Sequence, residues 1–372
     1  METFGRPHHD SNDGDCPAVL RRLEISQLRN IEQAELVPAA HLNCLVGANG
    51  SGKTSILEAI HLVGRGRSFK TTRASELIRF DQAQATVSAR LGDEGAAAFP
   101  VGVRVARGER EIRIRGQRVA SSAELLVIFP LLLIQPSSVE LVDGAPRVRR
   151  QFLDWGVFHV EHGYLDVWRR HVKALGQRNA ALRSGADLEP WDQALAHYGT
   201  ILAEARARYL LRLQPAIKAA VSHFLPGIDV GLRAMAGWAD GRTLLDVLRE
   251  ERDKDRQFGY TQSGPHKADF VLAANGRAAR RFLSRGQTKM LAYALLLAQA
   301  GFLAENAADP ACVMIDDLPS ELDPINRGRL WDYLASLRAQ CFITAVDRQE
   351  LDAARAEDVG MFHVEHGCVV PR

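Results

Sequence analysis

The stretch GANGSGKT, residues 47–54, decides the fold of this 372-residue chain. It follows the apolar run HLNCLV and precedes a predicted helix over 53–63 that Gly64 would end. Its letters fit G-x-x-x-x-G-K-[ST], in which glycines let backbone N–H groups turn towards phosphate oxygens at a helix N-terminus. The pattern therefore predicts a nucleotide-binding loop, made by Gly47, Ala48, Asn49, Gly50, Ser51, Gly52, Lys53 and Thr54.

Two side chains of this loop have predicted roles toward ATP. Lys53 would reach the β and γ phosphates, and the Thr54 hydroxyl would bind magnesium. A second part of the site is expected from CVMIDD, residues 312–317, an apolar run that ends in two carboxylates. A buried parallel strand delivers such acids to the carboxyl edge of its sheet. Asp316 would bind magnesium there, and Asp317 would act as the base that accepts a proton from the attacking water.

Three further segments occur in a fixed order along the chain. Gln135 follows an apolar run and precedes a proline, which fits a Q-loop glutamine that senses magnesium and water. Asp323 follows the paired acids with the spacing of a D-loop. LSRGQ, before a predicted helix over 286–305, fits the ABC signature, which contacts the γ-phosphate held by the opposite subunit; its residues are Ser284, Arg285, Gly286 and Gln287. The phosphate loop, Gln135, LSRGQ and the paired acids with Asp323 together predict an ABC-type ATPase. Magnesium would bind at Thr54, Asp316 and Gln135, and ATP would be held between two copies.

Strand and helix patterns lie on both sides of a helical block. Alternating apolar residues predict three strands within 19–46, a hairpin or meander over 85–119 and a buried strand over 125–134. Helical periodicity dominates 146–224, followed by a strand near 228–235 and a helix over 242–256. The last third alternates strand and helix again. We therefore predict an α/β ABC-type ATPase head (a P-loop NTPase), split into 17–145 and 258–372 by a mainly helical insertion at 146–257, after a disordered leader at 1–16.

The bulk composition is that of an ordinary globular protein, with 46% hydrophobic and 25% charged residues. The longest apolar runs fall short of the roughly 20 residues that span a bilayer. The five cysteines form no C-x-x-C pair, which suits a reducing compartment. These features predict a soluble, cytoplasmic protein without a membrane partner.

Local clusters of cations carry more information than the net charge of +2. DNA contact needs clustered cations rather than a basic total. Arg65, Arg67, Lys70 and Arg73 crowd one stretch and are the candidate DNA-binding residues. A second group of arginines within 104–118 is equally consistent with a solvated strand face.

The hexapeptide FHVEHG occurs twice, at 158–163 and 362–367. Two histidines beside a glutamate could bind a metal on a helix, but the spacing is not H-E-x-x-H. An amphipathic segment and a C-terminal strand that share letters by chance explain the repeat better.

ABC transporter ATPases are the first rival to compare. They usually carry a histidine after the strand that follows the paired acids, where this chain has Thr344, and their base is a glutamate where this chain has Asp317. Long coiled-coil chromosome proteins share a split head, but their insertion runs to hundreds of residues with sustained heptads. The insertion predicted here is about 110 residues long, without sustained heptads.

The sequence resembles the RecF family from about residue 19 to its end. The resemblance rests on LRNIE (28–32), the phosphate loop, GRSFK (66–70), RRQFLDW (149–155), QRNAAL (177–182), SGPHKADF (263–270), LSRGQ and the acidic pair before SELD. It implies a weak, DNA-stimulated ATPase that dimerises with ATP on single- and double-stranded DNA at gaps and junctions. It also implies work with RecO and RecR that aids RecA loading and SOS induction. Lys267 departs from a motif that often carries arginine, which puts a bidentate contact there in doubt.

Two alternatives of other classes remain open at this point. One is the ATPase subunit of an ABC transporter, which would co-purify with a membrane partner. The other is a nucleotide-switched scaffold that binds ATP without hydrolysing it, which a phosphate-release assay would separate.

Overall fold

A computed structural model describes residues 19–92, 98–307, 311–317, 322–347, 351 and 359–371. The predicted leader at 1–16 and residues 318–321 of the D-loop stretch lie outside these ranges. The chain forms two compact units, which we call the first and the second unit. The first comprises Met1–Leu133, Ala307–Leu322 and Leu334–Arg372, and the second comprises Ile134–Asn306 and Asp323–Tyr333.

The described chain alternates strands and helices at both ends around a helical middle. Its strands are β1 (Val19–Leu28), β2 (Ile31–Leu36), β3 (Leu42–Val46), β4 (Gln84–Gly92), β5 (Phe99–Ala106), β6 (Glu109–Ile114), β7 (Gln117–Arg118), β8 (Leu131–Ile134), β9 (Val230–Met235), β10 (Asp269–Ala274), β11 (Arg277–Ala278), β12 (Cys312–Ile315), β13 (Cys341–Ala345), β14 (Val359–Glu365) and β15 (Cys368–Pro371). Its α-helices are α1 (Lys53–Arg65), α2 (Ala123–Ile128), α3 (Glu140–Asp143), α4 (Pro146–Val160), α5 (Tyr164–Ser184), α6 (Glu189–Phe224), α7 (Leu244–Glu250), α8 (Arg252–Phe258), α9 (Ala279–Phe282), α10 (Arg285–Asn306) and α11 (Pro324–Ser336). Short 3-10 turns cover Ala74–Glu76, Pro136–Val139 and Pro265–Lys267.

The first unit has two sheets with α1 between them. One sheet is antiparallel, in the order β2-β1-β4-β5-β6-β7, and the other has the order β15-β14-β3-β13-β12-β8. Apolar side chains of α1, including Ile56 and Ile60, belong to one buried cluster with Val87 and Val103 of the first sheet and Phe342 of the second. Burial of α1 on both sides fixes the end of the helix that carries the phosphate loop.

The second sheet brings segments together that are distant in sequence. Strand β3 lies between β13 and β14 and is parallel to both, and β12 is parallel to β13. The near-continuous apolar letters of β3, β12 and β13 reflect this burial on both faces of the sheet. Because parallel strands end at the same edge, the loop after β3 and the acids after β12 lie on one side of the sheet.

Two predicted boundaries in the first unit were wrong. Helix α1 does not end at Gly64 but continues to Arg65 and is capped by Gly66, whose φ is 62°. Gly64 is inside the helix, where glycine suits close packing, since a Cβ there would lie 3.0 Å from the Leu131 side chain. The predicted strand over 125–134 is instead α2 followed by β8, separated at Pro130, because proline forces the preceding residue out of the helical region. Periodicity alone cannot distinguish the two structures in a continuous apolar run.

The second unit contains the helices α4, α5, α6 and α10 and a small sheet in the order β11-β10-β9. It spans 146–257, for which the sequence predicts an insertion, and it extends beyond both ends of that range. Helix α10 connects to its neighbours through Gln299, whose Nε2 donates to the Phe152 carbonyl and to the Tyr209 hydroxyl, both across 2.9 Å. The single helix predicted over 242–256 is two helices, α7 and α8, which meet at Glu251.

Several motif residues that carry the family resemblance are buried in this unit. Arg178 is completely buried and donates to Asp192 and Asp255, each across 2.6 Å. Arg149 makes a bidentate pair with Asp269, at 2.6 and 3.0 Å. A buried charge is tolerated only with such partners, so these arginines have structural roles in the unit.

No helix in the described part of the chain is both long and apolar enough to cross a membrane.

Candidate functional site

The loop between β3 and α1 has the backbone that a phosphate-binding loop requires. Gly50 and Gly52 have φ of 79° and 119°, values that residues with a Cβ rarely adopt. A Cβ on Gly47 would lie 2.1 Å from the Val364 carbonyl oxygen, so only glycine fits against β14. The loop ends at the N-terminus of α1, where free backbone N–H groups favour an anion.

Lys53 lies across this loop rather than extending into solvent. Its Nζ donates to the carbonyl oxygens of Gly47 at 2.5 Å and Ala48 at 3.0 Å, and the residue is only 7% exposed. The ammonium group is therefore held within the curve of the loop. That placement suits a cation that neutralises phosphate oxygens bound by the same loop.

The Thr54 hydroxyl meets the acids that follow β12. Its Oγ1 donates to Oδ1 of Asp316 across 3.2 Å, although 262 residues separate the two in sequence. Oδ1 of Asp316 also accepts from the hydroxyl of Thr344, across 3.0 Å. The backbone N–H of Asp317 donates to the same Thr344 hydroxyl, across 2.7 Å. The structure thus brings together Thr54, Asp316 and Asp317, as predicted, and adds Thr344.

The side-chain oxygen atoms of Asp316 and Thr54 are ligands that suit a hard divalent cation. Burial raises the pKa of the Asp316 carboxyl above its usual range, and the positive charge of Lys70 opposes that rise. A magnesium ion would compensate the buried carboxylate, and it prefers carboxylate and hydroxyl oxygens of the kind that Asp316 and Thr54 offer. The residues present are therefore suitable ligands for magnesium.

The signature residues form the start of α10 in the second unit. The Ser284 N–H donates to Oε1 of Gln287 across 3.0 Å, and the Gln287 N–H donates to Oγ of Ser284 across 3.3 Å. This reciprocal pair is a capping box, which the S-x-x-Q spacing could have indicated before the structure. Ser284, Arg285 and Gly286 are exposed, whereas most of α10 is buried. The exposed end of a 22-residue helix is a suitable anion site.

The two remaining candidates, Gln135 and Asp323, also belong to the second unit. The Gln135 side-chain amide donates to the Ser137 hydroxyl across 2.7 Å. Asp323 caps α11, because its carboxylate accepts from the N–H and the side-chain amide of Asn326, at 2.8 and 2.7 Å. These bonds lower the pKa of Asp323.

The candidate DNA-binding cations differ in their surroundings. Arg67 and Lys70 are exposed, and Arg73 is exposed and pairs with Glu76 at 3.5 Å. Arg65 differs from them: its Nη2 donates to the Leu131 carbonyl across 2.9 Å, and burial lowers its pKa to about 10. We therefore leave Arg65 out of the proposed DNA contact.

The second arginine group lies on β5, β6, β7 and their turns and is largely paired. Arg104 and Arg113 both bond Glu111, each across 2.7 Å, and these bonds lower the pKa of Glu111 to about 2. Arg110 donates to the Gly66 carbonyl across 2.6 Å. The interpretation of this group as a solvated strand face is the better one.

The two FHVEHG segments have different structures. The first ends α4, and the second ends β14 and turns into β15. The second lies against the phosphate loop, since the Gly367 N–H donates to the Ser51 carbonyl across 2.8 Å. Sequence reasoning missed this contact, for which the only local signal is the turn-forming pair His366 and Gly367, both with positive φ.

Comparison with known proteins gives the family. The sequence profile of the RecF/RecN/SMC N terminal domain family matches residues 19–370. The DNA replication and repair protein RecF of Chromohalobacter salexigens is 43% identical over 356 residues, which cover 94% of this chain and 98% of the relative. The chain belongs to the RecF family. RecF of Pseudomonas putida KT2440 is likewise 43% identical, over 360 residues that cover 94% of this chain and 97% of the relative. The predicted resemblance is confirmed, and it removes the support for a transporter subunit.

Solved structures agree with this assignment. The structure of the recombination mediator protein RecF-ATPrS in the RecFOR pathway superposes with a TM-score of 0.83 at 25% identity, covering 96% of this chain and 98% of that one. RecF-ATP from the same pathway gives a TM-score of 0.85 at 24% identity, covering 98% of this chain and 100% of that one. An Smc head domain from Pyrococcus furiosus gives a TM-score of 0.62 at 16% identity, covering 95% of this chain and 96% of that one. The predicted ABC-type ATPase head with a mainly helical insertion is confirmed as the fold.

Proposed function

We propose that this protein is an ATP-switched, DNA-binding protein of recombinational repair and replication restart. The observation that carries the proposal is the hydrogen bond between Thr54 of the phosphate loop and Asp316, the residue after β12, which brings two predicted magnesium ligands together beside the loop. The relatives are named DNA replication and repair proteins, and the solved RecF structures belong to the RecFOR pathway. Both names support a role of the same kind here.

The nucleotide site would work through the chain's own groups. The backbone N–H groups of 47–54 and the ammonium of Lys53 bind the phosphates of ATP. Thr54 and Asp316 would hold magnesium, which would supply positive charge beside the phosphate oxygens, and Gln135 is the further ligand that the sequence predicts. Asp317 accepts the proton of the attacking water. Its side chain is one methylene shorter than glutamate, so we expect slow hydrolysis.

Dimerisation would complete the site. Ser284, Arg285, Gly286 and Gln287 at the exposed start of α10 would contact the γ-phosphate held by the second copy, with Asp323 of the D-loop near the same interface. ATP binding closes the homodimer on single- or double-stranded DNA, and hydrolysis, stimulated by DNA, reopens it. RecR and RecO would act as partners of the closed state, which aids RecA loading and SOS induction.

A mass measurement tests this proposal. Mass photometry of the parent chain should show monomers without nucleotide and dimers with ATP, magnesium and a gapped DNA, and a phosphate-release assay should show slow turnover that DNA accelerates. A chain that stays monomeric with ATP contradicts the proposed switch. A dimer that releases no phosphate identifies a non-hydrolysing scaffold instead.

Asp317→Asn should keep the fold and the nucleotide but lower turnover by about 100-fold or more, because it removes the proton acceptor. The backbone N–H that donates to Thr344 is unchanged by this substitution. The ATP-bound dimer should therefore persist, as judged by mass photometry over time. Asp316→Asn is the matched control, since it should weaken magnesium-dependent binding of ATP. Parental turnover in Asp317→Asn would show that another group is the base.

Reversing the charges of Arg67 and Lys70 together to glutamate should weaken DNA binding to all sequences. It should also reduce the slope of log Kd against the logarithm of the salt concentration by about 2, because fewer counterions are released on binding when phosphate contacts are lost. Fluorescence anisotropy with labelled DNA at several salt concentrations measures both effects. An unchanged salt slope would remove these residues from the DNA interface.

Two controls separate this interface from a role at the nucleotide. The charge of Lys70 reaches Asp316, so Lys70→Glu alone must be compared with Arg67→Glu for ATP affinity. Arg107→Glu with Arg338→Glu gives the same change in net charge at two other exposed positions of the first unit. We expect this control pair to bind DNA nearly as the parent does.

A further inference from the structure

Thr344 is placed by sheet topology beside both parts of the nucleotide site. It is the fourth residue of β13, whose register pairs Ile343 with Ile315 of β12 and Thr344 with Leu45 of β3. The side chain is therefore level with Asp316, the residue after Ile315, and next to the strand that enters the phosphate loop. The residue is 0% exposed.

The Thr344 hydroxyl makes two hydrogen bonds of opposite sense. It donates to Oδ1 of Asp316 across 3.0 Å, and it accepts from the backbone N–H of Asp317 across 2.7 Å. A hydroxyl has one hydrogen, so donation to Asp316 fixes its rotation and directs its lone pairs elsewhere. One buried hydroxyl thus connects the two acids that follow β12.

The hydrogen bond from the Asp317 N–H to Thr344 restrains a backbone that is in an unfavourable conformation. Its φ is 56°, in the left-handed region that costs free energy for a residue with a Cβ. Such a conformation persists only where its surroundings hold it, and these conformations concentrate at functional sites. The N–H bond to Thr344 is one such restraint. Without it, the backbone could relax and carry the carboxylate of Asp317 to a different position.

We propose that Thr344 is a positioning residue for ATP hydrolysis, which holds the side chain of Asp316 and the backbone of Asp317 in one arrangement through a single hydroxyl. The inference rests on the proposed function, since it requires that Asp317 acts on the attacking water. It adds a residue that does not itself touch ATP.

Two substitutions separate the role of the hydroxyl from that of the packing of the side chain. Thr344→Val removes the hydroxyl and keeps the shape, whereas Thr344→Ser keeps the hydroxyl and removes the methyl group. In the nucleotide-free full chain, hydrogen–deuterium exchange of a peptide that covers 312–317 should report the Asp317 amide. Thr344→Val should exchange about tenfold faster there, because one hydrogen bond is lost, and Thr344→Ser should match the parent. Equal protection in Thr344→Val and the parent would overturn the proposed restraint.

Hydrolysis supplies the second readout. Thr344→Val should bind ATP in EDTA within about twofold of the parent, while its kcat with magnesium falls about 10- to 100-fold, as expected for a mispositioned base. Thr344→Ser should retain kcat within about threefold, since it retains the hydroxyl. Parental kcat in Thr344→Val, or an equal loss in both variants, would overturn the proposal.

Thr261→Val is the matched control. Thr261 is also a buried threonine whose hydroxyl donates once, to Asn179 at 2.7 Å, and accepts once, from Arg178 at 2.8 Å, but it belongs to the second unit. It should lower the unfolding midpoint and leave kcat unchanged. An equal loss of kcat would show that general destabilisation explains Thr344→Val. A parent that releases no phosphate would instead overturn the proposed function, and the exchange data would still decide whether Thr344 holds Asp317.

Discussion

Lys53→Met should lower the affinity for ATP by about 100-fold or more, because hydrogen bonds to a charged group contribute more than neutral ones and several are lost together. The Lys53 Nζ already bonds the carbonyl oxygens of Gly47 and Ala48, so the substitution removes both the charge and an internal brace of the loop. Isothermal titration calorimetry with ATP and magnesium measures the loss. DNA-bound dimers should disappear with it in mass photometry.

Lys53→Arg is the control that keeps the charge. A guanidinium is planar and larger than an ammonium group, and it cannot occupy the same place in the loop, so we expect partial rather than full binding. Circular dichroism should show that both variants are folded. Parental ATP affinity in folded Lys53→Met would contradict the assignment of 47–54 as the nucleotide loop.

Ser284→Arg should abolish ATP-dependent dimerisation while a single subunit still binds ATP. The substitution places a bulky cation at the exposed start of α10, where the γ-phosphate held by a second copy should lie. The phosphate loop and Asp316 belong to the first unit and are unchanged. Sedimentation velocity with ATP and magnesium should show a monomer, and calorimetry should show bound nucleotide. An ATP-dependent dimer with parental turnover would contradict the signature assignment.

Two controls address the cap that Ser284 provides. Ser284→Ala removes the hydroxyl that accepts from the Gln287 N–H, a loss that costs about 1 kcal/mol of helix stability, without adding bulk. Ser284→Thr keeps a hydroxyl at the same position. If loss of the cap explained the effect, Ser284→Ala would lose dimerisation as completely as Ser284→Arg.

Mixing Ser284→Arg with Lys53→Met tests whether two chains share each site. A mixed dimer has one interface with both defects and one interface with neither. Because neither variant should dimerise with itself, every dimer in the mixture is mixed and carries one intact site of its two, so at most half of the parental sites work. Restored phosphate release in the mixture, absent from either variant alone, is the expected result. Failure of the mixture would favour a site completed within one chain.

Much of the fold could be predicted because its signals are local and strong. The run HLNCLV and the loop after it predict β3, the turn and the start of α1, and the structure confirms them. The run CVMIDD predicts a buried strand that ends in acids, and it is β12. The error at 125–134 arose because these ten residues, which include most of α2 and all of β8, are apolar throughout, so no period separated the helix from the strand. Gly64 was interpreted as the end of α1, but it packs against Leu131 inside the helix, and no local pattern shows that contact.

The parts of the site that could not be predicted depend on contacts between distant segments. In the sequence, Thr344 was notable only because transporter ATPases usually carry a histidine at that position. Its hydrogen bonds to Asp316 and Asp317 follow from the register of β13 with β12. The contact of Gly367 with Ser51 follows from β14 pairing with β3. Single-sequence patterns do not contain these pairings. The signature was recognised from its letters. Its capping box was not predicted, although the S-x-x-Q spacing of the same residues indicates one.

The position of β3 between β13 and β14 has a consequence for synthesis of the protein. Both strands that flank β3 lie after residue 340, so β3 leaves the ribosome nearly 300 residues before its described partners do. The antiparallel sheet, whose strands end at Arg118, can form early. The phosphate loop cannot, because β14 supplies the surface against which Gly47 packs. Nascent chains should therefore be unable to bind nucleotide until β14 has been translated, and until then an apolar strand edge is exposed to other chains and to chaperones.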